Sequence, residues 1–236
     1  MLDTVRCSIQ GFLKIKDKAT GEILVDTHND VLHANMSVIL ARALNGDTNN
    51  FLTYMAFGNG GAYIDISGIL YKDSKGVTNT TYTQNEVLYN TIYVKKIKNE
   101  SNGIISDTSY SGITPGTNYG DIDVTVTLDY SEPSFATISQ AAIDNSSFVG
   151  FADGVTPTPD YTSGATNTLV FNEIGLFAGP TNIFVNNDTQ SDLDVTTFTG
   201  SDAKTMLTHA IFHPVQKAAN RSLEIIYTLR IQMGAM

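Results

Sequence analysis

The stretch Leu223-Glu-Ile-Ile-Tyr-Thr-Leu-Arg-Ile-Gln-Met233 decides the fold. Leu223, Ile225, Tyr227, Leu229, Ile231 and Met233 are apolar, and the residues between them are polar except Ile226. A period of two over that length predicts a β-strand with one face on a core and the other mostly wet. The run before it, Met206 to Phe212, is largely apolar and ends at His213-Pro214. Proline has no N–H for a ladder, so this strand is expected to stop there or to lie at an edge. Gln216 to Arg221 is a connection of hairpin size, and the two runs together predict a C-terminal hairpin that closes a sheet.

The rest of the chain fits the same class. Val5 to Ile15 alternates, with Gly11 marking an expected bulge; Lys16 to Glu22 reads as a turn and Ile23-Leu24-Val25 as the returning strand. The period then changes. Met36, Leu40, Ala43 and Leu44 fall at helical spacing, with Asn35 as the expected N-cap and Asn45-Gly46 as the stop. Phe51 to Phe57 and Leu169 to Phe177 read as buried strands, and Asp121 to Tyr130 as an alternating one. Ser101 to Gly120 reads as a long exposed loop, Asn145 to Gly164 as loop or short helix, and Asn186 to Lys204 as a polar insert. The expected fold is mainly β: an antiparallel, sandwich-like domain with one short N-terminal helix and long loops. Residues 1–53 form a hairpin and helix packed on a β-rich domain of residues 54–236.

Composition narrows function. The 236 residues carry 14 basic and 24 acidic side chains, a net charge of −10, which disfavours nucleic acid and anionic lipid as partners. The one basic cluster, Lys95, Lys96 and Lys98, is expected on a solvated strand edge. Cys7 is the single cysteine, so no intrachain disulfide can form; its phase with Val5, Ile9, Leu13 and Ile15 predicts a small buried apolar residue. No apolar run reaches the roughly 18 residues of a spanning helix, so no membrane partner is expected. Met1-Leu2-Asp3 leads directly into a strand pattern without a secretory leader, so cytoplasmic synthesis is expected.

Reactive groups are sparse. Gly58-Asn59-Gly60-Gly61 follows a strand, but it lacks the Lys and Ser or Thr of a phosphate loop, so a tight turn is the expected reading. His209 and His213 would suit zinc on a helix; on a strand they stand about 13 Å apart, too far for one ion. His28 and His33 have no evident carboxylate companion. Asp121, Asp123 and Asp129 share a strand face and read as solvated polarity, since calcium ligands gather around turns. No catalytic, cofactor or metal residues are expected.

Three patches in order carry a family resemblance: Ala56-Phe57-Gly58-Asn59-Gly60-Gly61, then Thr83-Gln84-Asn85-Glu86-Val87, then Phe171-Asn172-Glu173-Ile174-Gly175-Leu176-Phe177. The strand around His209, Pro214 and Lys217 follows. The succession, over roughly residues 54 to 231, resembles the N-terminal attachment domain of tailed-bacteriophage tail fibres, the tail-collar type. That resemblance implies a virion structural protein that binds other virion proteins and catalyses nothing. With no fibre shaft in the sequence, a baseplate, collar, neck or fibre-adaptor subunit is expected, as a homo-oligomer. Phe57, Gly58, Asn59, Gly60, Glu173, Gly175 and Phe177 are its candidate interaction residues, with apolar surface near Phe57 or Phe177 expected to bury on assembly.

Two other functions compete. A carbohydrate-binding β module would read glycans through Tyr110, Tyr119 and Tyr161, expected in loops, although the chain has no tryptophan to stack on sugars. A glycoside hydrolase would need two carboxylates; Glu86, Glu173 and Glu224 are the candidates, and a glutamate among apolar neighbours reads better as a structural hydrogen-bond acceptor.

Overall fold

The structure is a computed structural model and describes residues 5–47, 50–78, 80–99, 109–130, 132, 156–157, 168–180, 198, 204–218 and 220–235. Its strands are β1 (Val5–Asp17), β2 (Ile23–Val31), β3 (Phe51–Gly58), β4 (Ala62–Asp65), β5 (Gly68–Tyr71), β6 (Thr91–Lys96) and β7 (Lys98–Asn99). They continue with β8 (Ser109–Pro115), β9 (Tyr119–Leu128), β10 (Thr156–Pro157), β11 (Thr168–Gly179), β12 (Thr205–Ala218) and β13 (Leu223–Ala235). Two helices, α1 (His33–Leu44) and the one-turn α2 (Lys75–Thr78), complete the described elements.

Ten strands form one sheet in the order β6-β3-β11-β12-β2-β1-β13-β9-β8-β7, antiparallel except for β7 beside β8. Its two ends, β6 and β7, are separated only by Ile97, whose N–H donates to the Thr53 carbonyl at 2.7 Å. The last strand therefore runs straight into the first, and the sheet rolls round upon itself. The mainly β, antiparallel expectation holds, and its two facing layers are opposite walls of this single curled sheet. β10, β4 and β5 make a separate three-stranded sheet.

The core lies within the curl. Leu13, Ile15, Val25, Val124, Val126, Leu223, Ile225, Tyr227 and Leu229 face inward from the alternating strands. Phe57, Phe171 and Phe212 meet edge-on, with centroids 5.4 and 5.8 Å apart. A second apolar cluster, including Tyr54, Leu88, Phe177, Phe198 and Met206, covers the other face of β3, β11 and β12. Burial on both faces over Thr53–Phe57 and Phe171–Phe177 is why these strands read as apolar runs without alternation.

The C-terminal hairpin does not form. β13 pairs with β1 on one side and β9 on the other, while β12 pairs with β11 and β2. The β1–β2 hairpin is inserted between the two final strands, and residues 1–53 enter the main sheet through β1, which pairs with β13 over thirteen registered residues. Arg221 Nε donates to Asp17 Oδ2 at 2.7 Å, pinning the β12–β13 connection to the β1–β2 turn. Nor does Pro214 end its strand. Phe171 faces Val215 and Glu173 faces Ile211, so three residues of β12 oppose Asn172 alone, and the bulge takes in a residue with no N–H to offer.

Other expectations also shift. Asn35 lies inside α1, not at its cap; its amide donates to the Thr83 and Met206 carbonyls and its Oδ1 accepts from Thr83 N–H. Gly46, at φ +80°, supplies the expected stop. Gly11 marks no bulge, which falls at Ile15/Lys16; an added Cβ there would lie 1.7 Å from Asn29 Oδ1, so glycine makes room for that side chain. The 101–120 loop contains β8 and the start of β9. Cys7 is exposed because β1 outruns β2, whose pairing begins at Gly11. Lys95 is fully buried: its ammonium donates to the Thr127 carbonyl at 2.6 Å and pairs with Glu132, so it is no solvated edge. The stretches 145–155, 158–164, 186–197 and 199–203, and Tyr161, lie outside the described residues.

Candidate functional site

Two of the three motif patches, the glycine turn and the Phe171–Phe177 strand, meet in one buried polar knot, and the third borders it. Glu173 follows Asn172, the residue of β11 opposite the β12 bulge, and His209 lies diagonally across on β12, two residues from Ile211, which faces Glu173. Residues so related share a face of an antiparallel pair. Gly175, directly opposite His209, adds no side chain to that space; a Cβ there would come within about 3 Å of Leu88 and Phe177.

Glu173 accepts four hydrogen bonds. Its Oε1 takes the Gly60 and Asn90 amides, both at 2.9 Å; its Oε2 takes the Tyr89 amide at 3.1 Å and faces His209 Nε2 at 3.0 Å. The far side of the imidazole decides its tautomer: the Lys75 backbone N–H, necessarily a donor, points at Nδ1 at 3.0 Å. Nδ1 therefore accepts, and the proton facing Glu173 is on Nε2. Asn172 extends the knot, with Oδ1 accepting from Gly61 N–H and Nδ2 donating to the Asn59 carbonyl at 3.0 Å. Asn90 Nδ2 closes it on Asn59 Oδ1 at 2.6 Å.

The glycines are explained by approach, since Gly58, Gly60 and Gly61 are not among the positive-φ residues. A Cβ at Gly58 would stand 2.5 Å from both the Asn90 carbonyl and Glu173 Oε1; one at Gly60 would stand 2.7 Å from Asn90 N. The turn thus joins in cradling an anion, as glycine-rich backbone can, and the anion is the chain's own Glu173 carboxylate.

A polar lid covers the knot. Tyr89 packs on His209, their centroids 5.7 Å apart, and donates from its hydroxyl to the Asp73 carbonyl at 2.9 Å. The ammonium groups of Lys72 and Lys75 lie 4.3 and 4.7 Å from the Tyr89 ring centroid, and Lys75 also pairs with Glu86. Burial pushes the Tyr89 hydroxyl pKa up, reinforced by the negative charges of Glu173, Asp73 and Glu86. Burial lowers that of Lys72, opposed by the attraction of Glu173.

All seven candidate interaction residues, Phe57, Gly58, Asn59, Gly60, Glu173, Gly175 and Phe177, are buried within the chain. Their conformational and hydrogen-bonding demands are met internally, so none of the seven presents a surface of its own, and no exposed apolar surface belongs to Phe57 or Phe177. The reading of Glu173 as a structural acceptor agrees with this geometry. Its partnership with His209 escaped the sequence, because it depends on the register of β11 against β12. His213 points away and meets the Tyr71 hydroxyl at 3.1 Å. Among the described residues no group of three His, Cys, Asp or Glu side chains could hold a metal ion.

The remaining candidates are engaged with neighbouring strands. Asp121 forms a two-pronged pair with Arg230 at 2.8 and 2.7 Å, which holds its pKa below the usual carboxylate range. Asp123 accepts from the Thr114 and Thr228 hydroxyls, and Glu224 pairs with Lys16. Tyr110 lies in β8 and Tyr119 opens β9, with the Arg230 guanidinium 4.3 Å from its ring centroid. An apolar cleft of about 570 Å³ opens between α1 and the sheet, lined by Met36, Ile39, Leu52, Ile122 and Leu229, with exposed Phe51 and Ile113 also on it.

No protein family profile, curated protein or solved structure matches this chain.

Proposed function

We propose that the protein is a structural component of a tailed-phage virion, a baseplate, collar, neck or fibre-adaptor subunit that works by binding sister proteins. One observation carries the reading. The patches that resemble the tail-fibre attachment domain are far apart in sequence, yet the glycine turn, the Phe171–Phe177 strand and His209 interlock around a single carboxylate. The Thr83–Val87 segment borders the same knot through Glu86 and Lys75. In this chain the patches thus belong to one packing unit, which supports reading them together.

The geometry also supports assembly over chemistry. Glu173, one of the carboxylates a glycoside hydrolase would need, and His209 beside it have no exposed surface and are held by backbone amides and by each other.

The test is immuno-electron microscopy and mass spectrometry of purified particles from the phage that encodes this chain. Labelling at one defined level of the tail or neck, at a fixed copy number, is expected. Particles complete without the chain would overturn the proposal.

A further inference from the structure

We propose that the free edge of β1, centred on Cys7 and Ser8, pairs antiparallel with the same edge of a second copy of this chain. The inference rests on the assembly reading for its use, and on strand geometry for its substance.

β1 is paired with β13 from Val5 to Asp17, but with β2 only from Gly11 to Lys16. Beyond Asn29, β2 leaves β1 and joins β12, where Asp30 faces His209 and Val31 faces Thr208. The strands fork, and the fork is open: a hollow of about 350 Å³ has Ile9, Gln10 and Gly11 on one wall and Asn29, Val31 and Val77 on others. Among the described residues, Val5–Gln10 thus has a strand on one side only, and Cys7, Ser8 and Gln10 are exposed.

An unpaired edge is a template for another strand unless lysine, proline or a bulge blocks it. Among the described residues nothing blocks it. Cys7 to Gln10 carries no charge and no proline, and the bulge between β1 and β2, opposite Ile15/Lys16, is away from this edge. Backbone groups along such an edge call for an extended strand. Charge permits a second copy here: Thr4 to Lys16 adds no carboxylate to the mutual repulsion of two chains of net charge −10, and of its three cations only Arg6 lies in the paired span.

A two-fold axis normal to the sheet requires one residue to face itself, because opposed residues share a face. The centre of the free edge allows Cys7 or Ser8. Either choice gives five paired positions, a ribbon about 17 Å long, and sets Arg6 opposite Ser8 or Gln10 of the second copy, so no like charges meet. Both registers bring the two Cys7 Cα atoms within about 10 Å.

Cys7 is the only cysteine, so a nitroxide attached to the full native chain reports this contact. Dipolar broadening of its spectrum is expected to grow with protein concentration and to vanish on dilution with unlabelled chain. Ser8→Pro and Ile9→Pro, made separately, complete the test: alternate N–H groups point to opposite sides, so one of the two leaves the β13 ladder whole. The variant that keeps the parent thermal midpoint should raise the concentration for half-maximal broadening at least tenfold. A labelled chain that sediments as a monomer at several hundred micromolar overturns the proposal, as does self-association without broadening at Cys7. A chain that stays monomeric but is built into particles sinks edge pairing alone. A Cys7-centred dimer absent from particles sinks the virion reading alone.

Discussion

Replacing Glu173 by glutamine exchanges one oxygen for an amide nitrogen and leaves the side chain's shape almost unaltered, so its effect isolates hydrogen bonding. With the glutamine oxygen in the Oε1 position, the Gly60 and Asn90 amides keep an acceptor. The new NH2 group then faces the Tyr89 N–H at 3.1 Å and His209 Nε2 at 3.0 Å. Moving the imidazole proton to Nδ1 relieves one conflict and creates another, because the Lys75 N–H already points there. Flipping the amide strands Gly60 and Asn90 instead. Two buried donors are unmatched in every arrangement, at roughly 1–3 kcal/mol each. Release from burying a charge offsets part of that, which leaves an expected loss of about 1–4 kcal/mol, a sizeable share of the 5–15 kcal/mol typical of a domain. Urea unfolding is the assay: the midpoint should fall by about 0.5–2 M at an unchanged slope of about 2–3 kcal/mol/M. A double-mutant cycle with His209→Ala should show coupling of at least about 0.5 kcal/mol. An E173Q protein within about 0.5 kcal/mol of the parent would refute the account of the knot.

Gly60→Ala should destabilise by more than about 2 kcal/mol in the same urea assay, because its Cβ meets the backbone of Tyr89 and Asn90. Gly21→Ala, which at φ +75° meets nothing within 4 Å, should cost only about 1 kcal/mol. Asn35→Ala removes three hydrogen bonds to Thr83 and Met206 and should cost about 2–3 kcal/mol, with faster hydrogen exchange at Thr83 N–H. Asp17 and Asp121 have pKa values lowered by their hydrogen bonds to Arg221 and Arg230. A depressed carboxylate contributes stability that is full above the unfolded pKa near 4 and is lost as pH falls through the folded value. Thermal midpoints of Asp121→Asn should therefore depend less steeply on pH below about 4 than those of the parent.

The polar knot was half legible. Glycine clustering was read as a tight turn and did not show that a carboxylate approaches its backbone, while a glutamate among apolar residues did announce an acceptor; neither named the other. Sequence separations of 113 residues for Gly60–Glu173 and 36 for Glu173–His209 carry no periodic trace. Lys95 shows the same blindness: a lysine among lysines reads as wet until Thr127 and Glu132 are placed against it.

Local pattern alone determined that this chain is built of strands, that α1 lies between two of them, and that Leu223, Ile225, Tyr227 and Leu229 face a core. Those properties depend on backbone geometry within a few residues, where a period of two or 3.6 is written directly in side-chain polarity. Only the tertiary structure decided which strands are neighbours. Alternation says which face is buried and nothing of who lies alongside, so the expected final hairpin gave way to β1 and β2 inserted between β12 and β13. The same long-range pairing brought the amides of Gly60, Tyr89 and Asn90 to one carboxylate, because burying that charge is tolerable only where the whole sheet delivers its partners.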